Sequence, residues 1–382
     1  MKMQNWKNTL GWLLMLLVSS CVEPFTPEVL EAPNTFLVVN GFINANGPTT
    51  IKLLRTQNLY ETTVPPAESN AQVKIEADNG ESYWLQEDGN AEYKGEFSLN
   101  QDRKYRLYIK TQDGKEYASD FVEVKKTPAI DEVTWKPVGD QAQVYVSTHD
   151  PENKTRYYRW EYEETWHYRS ALYSILIYDK GKIRLRDEKD KHIYNCWKSI
   201  AGPTIEIGNS VRLTQDVISD YKLNAIPANS EKIGLKYSIL VKQYALTQEA
   251  YTYLEILKKN TENIGTLYDP LPSQLTGNIR CLTNPEEPVI GFVSATTMQV
   301  KRLFIENREL PREWRTFSPY CEEDTMLLAQ ANIHEYFQGG HNIPVSEVYA
   351  EGSTAVIGYT YGSSPCVDCT TRGTNVKPAF WE

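Results

Sequence analysis

Between residues 71 and 124 the chain alternates apolar and polar side chains with a period of two, and glycine-bearing turns interrupt the alternation at short intervals. Ala71-Gln72-Val73-Lys74-Ile75-Glu76-Ala77 is one such run, Asp78-Asn79-Gly80 a turn, and Ser82-Tyr83-Trp84-Leu85 the return. Glu87-Asp88-Gly89-Asn90 turns again before Tyr93. Lys104 to Ile109 then alternates, Asp113-Gly114 turns, and Tyr117 to Val124 returns. A period of two places successive side chains on opposite faces of a strand, so one face is buried and the other wet. Asn-Gly and Asp-Gly supply the positive φ that tight hairpins need. With Phe36–Ile43 and Thr50–Arg55 added, about seven short strands predict an immunoglobulin-like β-sandwich over residues 36–127. Thr127-Pro128 closes it, because proline cannot donate to an inner ladder.

Residues 128–382 read as a larger β-rich domain with one or two helices, which makes the protein mainly β. Its 25 Tyr, 9 Trp and 10 Phe in the whole chain favour strands. Gln143–Ser147 alternates, Leu235–Tyr244 is a strand, and Lys180-Gly181 joins two more. Val289–Val293 and Val300–Ile305 read as buried strands. Residues 155–168 form a long aromatic strand, with Tyr158, Trp160 and Tyr162 on one face and Tyr157, Arg159 and Glu161 on the other. Exposed, Tyr158, Trp160, Tyr162 and Trp166 would stack on sugars or anchor a partner. Packed, they are one face of a core, which is the commoner fate of such a strand. A helix is predicted near residues 247–264. Thr247 caps it, Leu246 and Tyr251 staple it, and Ala250, Leu254 and Leu257 form its apolar stripe. Glu255 and Lys259 pair on its wet face. A shorter helix is expected from Thr214, including Val217, Ile218 and Tyr221.

The N-terminus determines where such a protein works. Lys2 and Lys7 precede an apolar run from Leu10 to Val18, and Ser19-Ser20-Cys21 follows. This is the charged, apolar and small-residue order of a secretory signal over residues 1–20, and the run is too short to span a bilayer. Val18-Ser19-Ser20-Cys21 resembles the bacterial lipobox, so Cys21 is expected to carry lipid, which anchors durably when several acyl chains are attached. Residues 21–35, rich in Pro and Glu, read as a lipidated tether. Acidic residues just after the lipidated Cys resemble a surface-export signal, so the body is expected to face the cell exterior. Cleavage after Ser20 removes Lys2 and Lys7 and no acid from a chain of net charge −10, which leaves −12. That balance disfavours nucleic acid, whose binding needs a basic footprint, and leaves the lipid to hold the membrane.

Motifs of catalysis are scarce. His149, His167, His192, His334 and His341 form no HExxH, and there is no GxSxG elbow or phosphate-cradling glycine loop. No metal, cofactor or catalytic residue is expected. Beyond Cys21 stand Cys196, Cys281, Cys321, Cys366 and Cys369, all disulfide candidates in an exported protein. Five is odd, so at least one is left over, and spacing does not decide the pairing. Cys366-Val367-Asp368-Cys369 lacks the second pair a structural zinc would want, and a disulfide role for at least one of its cysteines is the simpler reading.

Tyr194-Asn195-Cys196-Trp197, Lys236 to Leu246, Asn260-Thr261-Glu262 with Gly265, Leu275 to Ile279 and Pro288 to Phe292 resemble a family of Bacteroidota lipoproteins catalogued as domain of unknown function 4249. The ending Cys366 to Thr374, with Lys377-Pro378 and Phe380-Trp381, resembles it too, although a single Gly373 stands where the family often has two. The resemblance implies an outer-membrane lipoprotein near TonB-dependent transporters and no catalytic residue. The leading expectation is a non-enzymatic surface lipoprotein that helps such a barrel capture or gate a ligand. A structural or adhesive envelope protein is the second, and a surface hydrolase the third. Phe380 and Trp381, with Pro378, are expected to pack back onto the body and pin the C-terminus.

Overall fold

A computed structural model describes residues 35–57, 64–262, 277–314 and 320–381. The signal segment, Cys21, the tether up to residue 34 and the helix-ending Gly265 lie outside them. The described protein is mainly β.

The first unit holds the expected strands Leu37–Asn44, Asn46–Arg55, Gln72–Ala77, Ser82–Glu87, Glu92–Ser98, Lys104–Lys110, Glu116–Ser119 and Val122–Lys125. The alternation resolves as predicted: Val73, Ile75, Tyr105, Leu107 and Ile109 are buried, and their polar neighbours face out. The unit does not end at residue 127, however. Ile279–Cys281 pairs with Glu116–Ser119, and Val289–Ile290 lies parallel to Leu37–Val38. Ala295–Thr296 inserts between Leu37–Asn44 and Val122–Lys125, parallel to both. A short pairing of Lys104 and Tyr105 with Glu123 and Val122 then closes the strands into a ring. The returning segment covers backbone edges that the first 127 residues leave open, and open edges are costly to leave unpaired. Gly291 permits it. With φ at +147° it lies so close to the first strand that a Cβ would sit 2.4 Å from the Val39 carbonyl oxygen.

The second unit packs the sheet Ile130–Val138, Gln141–His149, Val217–Pro227 against Asn195–Ala201, Tyr157–Arg169, Lys236–Leu246 and Met298–Glu306. The helix expected from Thr214 is instead the strand Val217–Pro227. Asp220 has φ of +48°, and the pairing with Gln141–His149 slips register there. A bulge adds a residue and shifts the inward phase, so Ile218, Tyr221 and Leu223 acquire a spacing that mimics a helix. The main helix is present at Gln248–Glu262, with the Ala250 amide donating to Thr247 Oγ1 at 3.2 Å and Lys259 3.6 Å from Glu255.

The chain crosses between the two units three times, between residues 127 and 130, between 262 and 279, and between 296 and 298, and the first and last crossings are bonded to each other. The Thr127 amide donates to Thr297 Oγ1 at 2.9 Å, and Ala245 N–H donates to Thr127 Oγ1 at 2.9 Å. Phe42 meets Tyr244 edge-on at 4.6 Å. Strand direction then orders the molecule. Leu37 lies at the far end of its strand and Asn44, paired with Thr296, at the junction. Tyr157 pairs with Leu246 near the junction, and Arg169 ends the same strand about 40 Å away at 3.3 Å per residue.

Beyond Arg169 sits a cap. It comprises the hairpin Leu176–Asp179 and Lys182–Leu185, the sheet Asp324–Leu327, Val356–Ser363 and Asn342–Tyr349, and two short helices, Ile333–Phe337 and Ser364–Val367. Its core is small: Ile193, Val345 and Val367. A core of that size needs staples, and two disulfides supply them, Cys321–Cys366 within the cap and Cys196–Cys369 to the second sandwich. The tail folds back as expected. Trp381 is 6% exposed, against Phe304 and Trp197, and the Arg302 guanidinium lies 3.5 Å from the Phe380 ring centroid.

Candidate functional site

The aromatic strand is interior. Tyr158 and Trp160 are fully buried, and Tyr162 and Trp166 nearly so, which removes them as a ligand or partner surface. Trp160 stacks between Tyr158, at 5.7 Å, and Tyr221, at 4.5 Å, and its Nε1–H donates to buried Gln243 at 2.8 Å. With a second sheet packed over this face of the strand, even the Trp160 ring nitrogen is used inside. The buried carboxylates of this unit are likewise engaged. Glu164 accepts from Lys232 at 2.6 Å, Tyr237 at 2.8 Å and Asn224 at 3.0 Å, and Asp216 accepts from Tyr158 and Ser210. Burial beside Glu164 pushes the Tyr237 hydroxyl far above its ordinary range. Such fully partnered groups hold a fold together and have no capacity left for a ligand.

Of the five candidate cysteines, four pair as above, and Cys281 is the one left over, buried in the first sandwich. Cys366 and Cys369 do not pair with each other, so the CxxC is no redox pair. The short helix between them turns each thiol toward a different partner.

A cleft of about 860 Å³ lies where the chain enters the first sandwich, among Phe36, Arg55, Glu68, Lys115 and Glu287. Its charges satisfy one another: Arg55 with Glu68 at 2.5 Å, and Glu287 with Lys115 at 2.6 Å and the Tyr117 hydroxyl at 2.7 Å. Those bonds depress Glu287 despite its burial.

The cap differs. It carries eight of the seventeen exposed large apolar side chains in about a quarter of the described residues. Concentrated exposed apolar surface marks contact sites. Tyr173, Ile175 and Leu185 gather at one open cleft of about 620 Å³, with Arg186, His192 and Tyr194. The hairpin that forms it turns on Lys180 and Gly181, both at positive φ. Its base is fixed by Arg186 N–H donating to the Ile175 carbonyl at 2.8 Å, and by Ser174 Oγ donating to Pro344 O at 2.6 Å. Tyr194 meets Tyr173 edge-on at 4.8 Å, and the Arg169 guanidinium lies over its ring at 5.6 Å. Arg184 holds Asp190 in a two-pronged pair at 2.6 and 2.8 Å, which keeps that carboxyl far below the usual range. Half-buried Arg186 has only Ser174 Oγ at 3.5 Å and Lys191 O at 3.4 Å, and no carboxylate within ion-pair distance among the described residues. Burial pulls its guanidinium below the ordinary arginine value. Sequence reasoning passed over this place because the order of charges from Arg184 to Lys191 does not show which of them are paired. The available signal was two arginines, Arg184 and Arg186, close in sequence to Asp187 and Asp190.

Among the described residues no three or more His, Cys, Asp or Glu gather to hold a metal, and no helix is long and apolar enough to cross a membrane. A family profile described as a domain of unknown function, DUF4249, matches residues 22–302, about three quarters of the chain. This chain belongs to DUF4249. The match covers the first sandwich, the second up to residue 302 and the cap hairpin, and the Cys366–Trp381 ending lies beyond it. No curated protein matches this DUF4249 member. Among solved structures it is similar to a two-domain fibronectin type III segment of chicken tenascin, at 8% identity over 56% of this chain and 92% of that one, with a TM-score of 0.18. A candidate carbohydrate-binding protein from Bacteroides uniformis matches at 7% identity over 56% of this chain and 90% of that one, with a TM-score of 0.16. A candidate membrane-anchored protein from Corynebacterium diphtheriae matches at 9% identity over 69% and 62%, with a TM-score of 0.17. At such scores the likeness does not extend to the arrangement of the whole chain, and these proteins' roles say nothing about this one.

Proposed function

We propose that this DUF4249 protein is exported and held in the outer membrane by lipid on Cys21, facing the cell exterior. It acts without catalysis as an accessory subunit of a TonB-dependent barrel, where it captures or gates a ligand. The observation that carries the reading is the direction of the strands. The chain enters at the Leu37 end of the first sandwich, the junction lies at the other end of that strand, and the cap follows the far end of the Tyr157–Arg169 strand. The entry of the chain at Phe36 and Leu37 and the apolar-rich cap therefore stand at opposite ends of the strand path, which suits a protein tethered through the residues before Phe36 and presenting a contact surface away from the membrane. The doubled, hydrogen-bonded junction keeps the two ends in fixed relation.

The test is affinity isolation of the C-terminally tagged protein from detergent-solubilised outer membranes of its own host, read by mass spectrometry. A TonB-dependent barrel in stoichiometric yield is the expected result. Recovery of the protein alone refutes the accessory role, and binding of the isolated body to intact cells would then favour adhesion.

A further inference from the structure

Arg186 offers five N–H donors in a fixed fork, and its two contacts, at 3.4 and 3.5 Å, are at the weak end of hydrogen bonding. The carboxylates near it are committed elsewhere. Asp190 is gripped by Arg184 and also accepts from the Asp187 amide at 2.8 Å, and Asp368 accepts from Thr370 and lies 3.7 Å from Lys191. A half-buried guanidinium left free beside an open cleft is a place for an incoming carboxylate, which it can bind with two parallel bonds.

We infer that the cap cleft binds a glycan unit bearing a single carboxylate, a uronic-acid type sugar. In that site Arg186 takes the carboxylate and Tyr173 carries the apolar face of the ring. The inference rests on the cap being the capturing end of the molecule. Three observations select this class. First, Tyr173 is 60% exposed and borders the same cleft as Arg186, so a flat ligand can touch both. Second, the rim carries the exposed acids Asp187 and Glu188 with Lys191 and His192. These partner hydroxyl groups well and repel a chain with many negative charges, so the ligand is a mainly neutral glycan with one acid rather than a polyanion. Third, a peptide would bind here most simply by adding a strand, and the backbone of Ile175 at the cleft is already used. Ile175 N–H donates to Val345 O at 3.2 Å, and its carbonyl accepts from Arg186 N–H. Recognition at the cleft floor is left to side chains.

The test uses the recombinant mature chain, residues 21–382, and saturation-transfer NMR. The probes are a disaccharide of glucuronate and N-acetylglucosamine, the same disaccharide with its carboxylate reduced to the alcohol, and a tripeptide ending in tyrosine with a free C-terminus. The glucuronate disaccharide is expected to saturate one site. Removing its charge, or making Arg186→Lys, should weaken binding about ten- to hundredfold, the range for losing a charged two-pronged contact. Tyr173→Ala should weaken it about tenfold and, being exposed, leave the melting temperature in place. Equal binding of the reduced disaccharide overturns the assignment, as does no binding at roughly 10 mM or a preference for the tripeptide. The ligand comparison needs no variant, so a misfolded Arg186→Lys does not blunt it. Nor does it involve a barrel: failed co-isolation with intact sugar binding removes only the docking role, and the converse removes only the sugar.

Discussion

Gln243→Met tests whether the aromatic strand is held from inside. Gln243 is fully buried in the strand beside Trp160. Its Oε1 accepts from Trp160 Nε1 at 2.8 Å, and its Nε2 donates to Pro128 O at 2.8 Å and to Thr148 Oγ1 at 3.0 Å. Methionine matches the length and nearly the volume of glutamine, so the cavity cost is small. Thr148 keeps its own bond to Ala129 O at 2.9 Å. Two groups are orphaned, the Trp160 N–H and the Pro128 carbonyl, at about 1–3 kcal/mol each. The expected loss is about 2–6 kcal/mol, a large share of the roughly 5–15 kcal/mol that natural domains possess. At roughly 2–4 °C per kcal/mol for a unit of this size, melting followed by far-UV circular dichroism should fall by at least about 4 °C. The double variant with Trp160→Phe should lose less than the sum of the single variants by about 1 kcal/mol or more, because both break one bond. A single variant within about 0.5 kcal/mol of the parent, or an additive pair, would refute the reasoning and reopen the strand as a surface.

Four further outcomes are expected. Alkylating the unfolded, unreduced lipidated protein should label Cys281 alone, since the other four are bridged, and label on Cys321 or Cys366 would break the assignment. The Cys196–Cys369 bridge closes a span of 173 residues, and chain entropy gives such a loop about 5 kcal/mol. Cys196→Ala with Cys369→Ala should therefore loosen the cap and open the tail to limited proteolysis. His149 bonds Asp131 through Nδ1 at 2.8 Å, which raises its pKa above the ordinary 6.5. A raised folded value means that its stabilisation is complete below pH 6.5 and is lost as pH rises through the folded value. NMR titration should show this and Asp131→Asn should cancel it, while titration at or below 6.5 in the parent contradicts it. Cys21→Ser should abolish metabolic lipid labelling, and unchanged labelling defeats the anchor.

Local chemistry was legible and long-range closure was not. The hairpins at Asp78-Asn79-Gly80 and Lys180-Gly181, the capped helix after Thr247 and the inward face of the aromatic strand follow from neighbours a few residues apart, and the structure contains each of them. The strand Val217–Pro227 misled because a bulge at Asp220 changes the inward phase without any mark in the apolar pattern. The cap cleft was hidden for a different reason. Whether a charged residue is spent or spare depends on partners, and only the folded hairpin shows Arg184 taking Asp190 and leaving Arg186.

The two-residue strand Ala295–Thr296 is the extreme case. Two residues have no period to read, yet this pair bonds the first strand of the first sandwich to its last. Its consequence is mechanical. Residues 1–127 alone would expose the edges of Leu37–Asn44 and Val122–Lys125, so neither sandwich is a self-contained segment of chain, and the first cannot complete until nearly three hundred residues have been made. A fold closed by its own later chain also has two of its three crossings tied together at one junction, with Thr127 bonded to Thr296 and Thr297. A single linker would let the sandwiches swing. Two adjacent threads, tied by buried threonines, resist both bending and rotation. Such stiffness suits the proposed role, in which the cap is the contact surface of a tethered body.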